Sequence, residues 1–312
     1  MKTKLLMIGP YPKWDMDDLE THYDVIKLWE AADREAVIAA HRDDIRAIAT
    51  RGELGGSADL MRKLPRLEVV ACYGVGSDAI DLAYAKANGI RVTNTPDVLT
   101  ADVADMGVAL LLAVARQIPR ADAYVRAGSW ANGNMHLVTR VNGKKVGVAG
   151  MGRVGAAVAR RLAAFDCDLA YFDVNRRADL AYEFIGDLVE LARRSDFLIV
   201  TLAGGENTKG MINARALDAL GPDGILINIS RGTTVDEPAL LDALENRRIR
   251  GAGLDVFWNE PNIDARFNSL DNVVLQPHHA SGTTETRRAM GKLVRDNLKA
   301  HFSGAAPLTP VV

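Results

Sequence analysis

Lys145-Val146-Gly147-Val148-Ala149-Gly150-Met151-Gly152-Arg153-Val154-Gly155 is a short strand-like run that enters a glycine-rich turn, and Ala156-Ala157-Val158-Ala159-Arg160-Arg161-Leu162-Ala163-Ala164 leaves it with helical character. Gly-x-Gly-x-x-Gly at a strand-to-helix turn is the fingerprint of a dinucleotide-binding sheet. In a chain with 27 glycines the spacing alone says little. Its context says more: Asp173 stands 18 residues beyond Gly155, at the end of the next strand-like run, where an acidic side chain meets an adenosine ribose. Gly150 permits the tight turn, Gly152 lets backbone approach a pyrophosphate, and Gly155 lets helix pack on strand. The pyrophosphate would rest on the helix N-terminus, where unpaired N–H groups and the helix dipole favour negative charge. The expected cofactor-binding set is therefore Gly150, Gly152, Arg153, Val154, Gly155 and Asp173. Asp173 favours NAD over NADP, because its charge repels a 2′-phosphate. Arg176 and Arg177 pull the other way as phosphate ligands and leave NADP open.

Outward from this turn, short β-rich runs alternate with longer helical patterns. Leu5 to Ile8, Ala47 to Thr50, Val69 to Cys72 and Val92 to Thr95 are the strands expected in the first hundred residues. Lys145 to Ala149, Leu169 to Phe172, Phe197 to Thr201, Ile225 to Ile229, Gly253 to Val256 and Val273 to Gln276 form a second series of six. Alternation of this kind predicts parallel sheets flanked by helices, an α/β chain with two doubly wound domains. Asn94-Thr95-Pro96-Asp97 breaks the first series, and one long apolar helix is expected from Ala101 to Arg126, capped by Thr100 or Asp97. A last helix, Thr284 to Phe302, is expected to return to the first domain. The substrate domain would then comprise residues 1–98 and 284–312, the dinucleotide-binding domain would be inserted as residues 99–283, and a ligand cleft would lie between them.

Composition narrows the ligand. The 312 residues are 48% hydrophobic and 25% charged, with 38 basic against 40 acidic side chains and a formal net charge of −2. Nothing here resembles the basic footprint of a nucleic-acid binder or a polybasic membrane anchor, and no stretch approaches the roughly 20 apolar residues that span a bilayer. A small-molecule partner is expected. The two cysteines, Cys72 and Cys167, sit in apolar strand-like runs and read as buried free thiols of a reducing, cytoplasmic compartment. The N-terminus reads as a first strand rather than a signal peptide. No cluster has metal-ligand spacing, so no metal is expected.

Three charged residues lie downstream of the glycine turn: Arg231 in Ile229-Ser230-Arg231-Gly232-Thr233, Glu260 before Pro261, and His278 in Pro277-His278-His279-Ala280. A guanidinium, a carboxylate and an imidazole are the groups needed to hold a 2-keto acid and protonate its carbonyl beside a hydride-transferring nicotinamide. Arg231 follows a buried strand and has the planar fork that grips a carboxylate through two hydrogen bonds. Glu260 beside a histidine would stabilise the imidazolium and raise its pKa. Which of His278 and His279 is paired is open on residues alone, because adjacent side chains point in different directions.

With Gly147-Val148-Ala149-Gly150-Met151-Gly152, Asn228-Ile229-Ser230-Arg231-Gly232-Thr233, Gly251-Ala252-Gly253-Leu254-Asp255-Val256-Phe257 and Pro277-His278-His279-Ala280-Ser281-Gly282 in this order, the chain resembles the D-2-hydroxyacid dehydrogenase family over nearly its full length. It is similar to the hydroxypyruvate/glyoxylate and hydroxyphenylpyruvate reductase branch. The resemblance implies a Rossmann-like cofactor domain inserted into a discontinuous flavodoxin-like substrate domain, and an NAD(P)H-dependent reduction of small 2-keto acids to D-2-hydroxy acids. It implies that Arg231 holds the carboxylate and carbonyl, that the acid/base histidine is His278, and that Glu260 pairs with it. It also implies that the backbone of Val75 and Gly76 binds the carboxylate, that Ile229, Ser230 and Asp255 line the nicotinamide, and that the chain forms a homodimer through residues 101–141. Asp173-Val174 departs from the small polar residue and arginine of that branch, and Leu202-Ala203-Gly204-Gly205 lacks the family's proline. The alternative class is a cofactor-sensing, corepressor-like binding protein on the same fold. The absence of a long tail after the last helix weighs against it.

Overall fold

The computed structural model describes residues 2–312, which divide into two compact units, one running to Leu99 and joined by Ser281–Val312, the other Thr100–Ala280. In the first unit β1 (Lys4–Met7), α1 (Lys13–His22), β2 (Asp24–Lys27), α2 (Arg34–His41), β3 (Ile45–Arg51), α3 (Ala58–Arg62), β4 (Val69–Tyr73), α4 (Leu82–Ala87) and β5 (Arg91–Thr93) alternate. The five strands are all parallel in the order β2-β1-β3-β4-β5, the 2-1-3-4-5 order of a flavodoxin-like sheet. Strand β2 lies outside the expected set. It is a four-residue edge strand that buries none of its residues fully, so its sequence carries neither a long apolar run nor a clean alternation.

The second unit opens with α5 (Thr100–Ala115) and α6 (Ile118–Arg126). The single helix expected here is two. Gln117, with φ +48, takes the left-handed conformation at the break, and Pro119 follows in the first turn of α6, where its missing N–H costs nothing. Next come β6 (Lys145–Ala149), α7 (Arg153–Ala163), β7 (Asp168–Phe172), β8 (Glu183–Phe184), α8 (Leu188–Arg193), β9 (Phe197–Val200), α9 (Ala214–Leu220), β10 (Ile225–Asn228), α10 (Glu237–Glu245), β11 (Gly251–Leu254) and β12 (Val273–Leu275). The sheet has seven parallel strands in the order β12-β11-β10-β9-β6-β7-β8. The seventh, β8, is a two-residue edge strand and was beyond the reach of periodicity. Read from β8, the order is that of a doubly wound dinucleotide-binding sheet, with its topological switch point between β6 and β9. Ligands bind there, beyond the carboxyl ends of the strands.

Burial explains why these runs are strands. Every residue of β9 and β10 is buried, as expected for parallel strands covered by helices on both faces. Helix α11 (Thr284–Phe302) belongs to the first unit, with the Thr283 hydroxyl accepting the Thr286 N–H at its start. It packs on α1 and β4, and the Tyr73 hydroxyl donates to the carbonyl of Arg287 at 2.7 Å. Beyond it, Val311 N donates to Val92 O at 2.7 Å, so the terminal residues run along the edge of β5. Cys72 and Cys167 form no disulfide, the first being buried and the second partly so. Among the described residues no helix is long and apolar enough to cross a membrane, and no group of three or more His, Cys, Asp or Glu side chains is placed to hold a metal ion.

The carboxylate of Asp15 on α1 is 1% exposed and paired with Arg295 on α11. Removing the guanidinium leaves a buried carboxylate unpaired, a loss of about 3 kcal/mol or more. Arg295→Ala is therefore expected to lower the urea midpoint of unfolding with an unchanged m-value.

Candidate active site

The glycine turn follows β6 directly. Gly150 has φ +97, and its N–H donates to Phe172 O at 2.8 Å, tying the turn to the neighbouring strand. A Cβ on Gly155 would lie 2.1 Å from Gly150 O, so only glycine lets α7 settle onto the turn. Gly152 precedes α7 without a side-chain cap, and a Cβ there would meet nothing within 4 Å. The first turn of α7 carries no acidic residue, Arg153 opens it and Val154 is half-buried. Uncapped backbone donors at the start of α7, open space at Gly152 and a first helical turn free of acidic residues are what a pyrophosphate requires. Asp173, just past β7, accepts Met151 N–H at 2.6 Å through Oδ2, which fixes its carboxylate beside the same turn. Arg177 reaches that turn as well: Nη1 donates to Met151 O at 3.0 Å, while Nε and Nη2 donate to Asp179 at 2.8 and 2.6 Å. Arg176 is exposed. These residues fit the dinucleotide that the fingerprint implies.

Two strands further along the sheet, β10 ends in Asn228, a buried polar residue at the tip of an apolar run. Its amide donates to Arg231 O at 3.0 Å, and its Oδ1 accepts from Ser230 N and Ser230 Oγ at 3.0 and 2.9 Å. The Thr234 hydroxyl donates to Arg231 O at 2.7 Å, and Arg231 Nη1 donates to Ser230 O at 2.7 Å. The backbone that carries Arg231 is thus held on both sides. Ile229 and Ser230 are buried, and the Ser230 hydroxyl is taken up within the turn. Sequence reasoning did not single out Asn228 or Thr234. The signal for Asn228 was present, since a polar residue ending Ile225-Leu226-Ile227 has to find hydrogen bonds in the interior.

Glu260 and His278 come together from separate loops. Glu260 Oε1 accepts Phe257 N–H at 2.7 Å, and Oε2 accepts the Nδ1–H of His278 at 2.7 Å. His278 has φ +51, a left-handed conformation unusual for a residue with a Cβ. It is held there by its own N–H on Asp255 O at 2.8 Å, and by Asp255 itself, whose two carboxylate oxygens accept His279 N–H at 2.7 Å and Ala280 N–H at 3.0 Å. Asp255 is 1% exposed; its carboxylate serves the backbone that presents His278. His279 is exposed. The left-handed turn separates the two imidazoles and places His278, not His279, on Glu260.

The electrostatics follow from these contacts. Burial pulls the His278 pKa down, but the hydrogen bond and charge of Glu260 outweigh it and hold the imidazole above its ordinary value, against a smaller opposing effect of Arg231. Burial pushes Glu260 up, and His278, the Phe257 N–H and Arg231 bring it below the ordinary carboxylate range. For Asp255, burial prevails over the two backbone N–H donors and raises the pKa. The Arg231 charge is felt at both members of the pair, so guanidinium, carboxylate and imidazole belong to one electrostatic unit.

Val75 and Gly76 lie in the first unit, in the loop after β4. Gly74 N donates to Thr95 Oγ1 at 3.0 Å, Asn94 Nδ2 donates to Val75 O at 2.8 Å, and Cys72 Sγ lies 3.4 Å from Gly76 O.

Residues 108–280 match the NAD-binding domain of the D-isomer specific 2-hydroxyacid dehydrogenases. The chain is 44% identical over 308 residues to glyoxylate/hydroxypyruvate reductase A of Arabidopsis thaliana, covering 99% of this chain and 98% of the relative. It is 50% identical over 268 residues to the 2-ketogluconate reductase of Gluconobacter oxydans, covering 86% of each. The crystal structure of an NADPH-dependent glyoxylate/hydroxypyruvate reductase from Sinorhizobium meliloti, in complex with NADP and malonate, superposes with a TM-score of 0.94 at 44% identity, over 100% of this chain and 97% of that one. Reductases matched over 86 to 99% of the chain make it an oxidoreductase. The chain belongs to the D-isomer specific 2-hydroxyacid dehydrogenase family.

A methyl group at residue 155 has to displace backbone at Gly150. Gly155→Ala is expected to weaken dinucleotide binding by about tenfold or more, read as quenching of protein fluorescence on NADH titration, with far-UV circular dichroism retained.

Proposed function

We propose that the protein reduces small 2-keto acids to D-2-hydroxy acids, with Arg231, Glu260 and His278 as its catalytic residues. The observation that carries this reading is the 2.7 Å contact between His278 Nδ1 and Glu260 Oε2. With Nδ1–H committed to the carboxylate, Nε2–H is the proton left to give. Arg231 presents a planar fork of donors suited to a substrate carboxylate and to the carbonyl oxygen next to it. His278 donates its Nε2 proton to that oxygen as negative charge develops there, and Glu260 stabilises the imidazolium before the transfer and keeps the correct tautomer after it. The nicotinamide, when bound, supplies the hydride. Gly150, Gly152, Arg153, Val154, Gly155 and Asp173 would hold the dinucleotide, with Ile229, Ser230 and Asp255 toward its nicotinamide end.

NAD is the cofactor this reading favours. Asp173 is fixed beside the turn where a ribose 2′-OH would lie, and the Arg177 guanidinium is already engaged by Asp179 and Met151 O. The Sinorhizobium meliloti relative is NADPH-dependent, which makes NADPH the comparison to run. Hydroxypyruvate, glyoxylate, hydroxyphenylpyruvate and 2-ketogluconate are the substrates to assay, the last from the Gluconobacter relative. A homodimer is supported by Ile118, Val125, Trp130 and Leu137, which are 52, 55, 65 and 98% exposed within one short stretch of chain. Two cysteines without a disulfide between them support a cytoplasmic setting. The corepressor-like alternative is not favoured, because the Arabidopsis and Gluconobacter relatives that match along the chain are reductases.

Initial rates of NADH and NADPH oxidation with these four acids test the reading. Turnover of at least one, fastest with NADH, is expected; no turnover of any by a protein that binds dinucleotide contradicts it. His278→Ala is expected to lower kcat by about 10²- to 10⁴-fold while leaving dinucleotide affinity unchanged. Reduction needs the imidazolium, so kcat/KM for the keto acid should be flat below the raised His278 pKa and fall as pH rises through it; oxidation of the hydroxy acid should run the opposite way. Glu260→Gln removes the charge that raises this pKa, and the high-pH fall should move to lower pH.

A further inference from the structure

Glu237, the first residue of α10, is a buried carboxylate that no step above uses. Its Oε2 accepts the backbone N–H of Trp258 at 2.7 Å, two residues before Glu260. The Trp258 indole N–H turns the other way and is shared between Gly232 O and Val235 O, both at 3.1 Å. Those carbonyls sit on the turn that begins at Arg231, where Val235 N also donates to Gly232 O at 3.1 Å. The two segments are in direct backbone contact as well: a Cβ on Gly232 would lie 2.1 Å from the carbonyl group of Phe257. Phe257 in turn gives its N–H to Glu260 and packs edge-on against Phe267, with ring centroids 5.5 Å apart. The loop that holds Glu260 and the turn that holds Arg231 are therefore fastened together by two side chains, neither of which is at the reacting centre.

We propose that Glu237 and Trp258 are positioning residues that fix the Arg231 guanidinium in register with the Glu260–His278 pair. This rests on the proposed reductase reading for what the register serves. Glu237 sets the loop by holding one peptide N–H, and Trp258 joins the loop to the turn through one indole N–H shared by two carbonyls. A displacement of about 1 Å in such a frame costs on the order of 100-fold in rate. Burial raises the Glu237 pKa against the lowering effect of the Trp258 N–H; the charged groups that act on it are Asp264, Arg266 and Glu260.

The test uses Trp258→Phe, which keeps a ring but has no N–H, with Glu237→Gln and Glu237→Ala as a second pair. In Trp258→Phe we expect kcat/KM for the keto acid to fall about 10- to 100-fold, through both kcat and KM, at unchanged NADH affinity. The His278 ring titration, followed by NMR without cofactor or substrate, is expected to move to lower pH as Glu260 loses its fixed position. Glu237→Gln keeps an oxygen for the Trp258 N–H and should restore most of what Glu237→Ala loses. A folded Trp258→Phe protein with a wild-type His278 titration overturns the proposal, as does an equal effect of the two Glu237 substitutions on that titration. The NMR reading stands apart from turnover: failure of the unsubstituted protein to reduce any keto acid would sink the reductase reading, and the titrations would still decide this one.

Discussion

A half-buried carboxylate and a half-buried imidazole, 2.7 Å apart on loops that follow two neighbouring strands, form the contact on which the rest of the site depends. Removing either group from water is unfavourable for its charged form, and here each offsets the cost for the other. The outcome is directional: Glu260 is driven below and His278 above their ordinary pKa values. A proton is thereby kept on the imidazole at pH values where a free histidine would be losing it. The pair is only as good as the backbone beneath it. That backbone is held by hydrogen bonds to two carboxylates outside the pair, Asp255 under residues 279 and 280 and Glu237 under residue 258.

The parallel sheet of the second unit makes this arrangement possible. Strands buried on both faces place every loop of functional interest at one end, beyond their carboxyl termini. The glycine turn leaves β6 there, Asp173 leaves β7, Arg231 leaves β10, Glu260 leaves β11 and His278 leaves β12. Adjacent parallel strands lie roughly 4.8 Å apart, so loops far apart in sequence leave the sheet side by side. Turn chemistry then does the fine placement. Left-handed backbone at His278 separates two adjacent imidazoles and presents one of them to Glu260.

Much of this was legible in the chain, and the failures have physical causes. The β-branched runs of β6, β9 and β10 and the helix Thr284–Phe302 are long or buried enough for periodicity to reveal them. The edge strands β2 and β8 are too short and too exposed. The break at Gln117 was hidden because Arg116 and Gln117 are ordinary helix formers and the deciding Pro119 comes two residues later. In the site, Arg231, Glu260 and the histidine pair stood out as charged residues following apolar strands. The choice between His278 and His279 did not follow from residue types; it depends on a backbone dihedral set by Asp255, more than 20 positions away in sequence. The roles of Asn228 and Glu237 were hidden for the same reason, since each acts on backbone that only the folded sheet brings near.

The most direct measurement is an NMR titration of the His278 ring in the cofactor-free protein, assigned by comparison with a His278 variant. The account predicts a midpoint above the ordinary histidine value of about 6.5, with Nδ1 still protonated in the neutral form. A midpoint below that value, or a neutral ring protonated at Nε2, would contradict it.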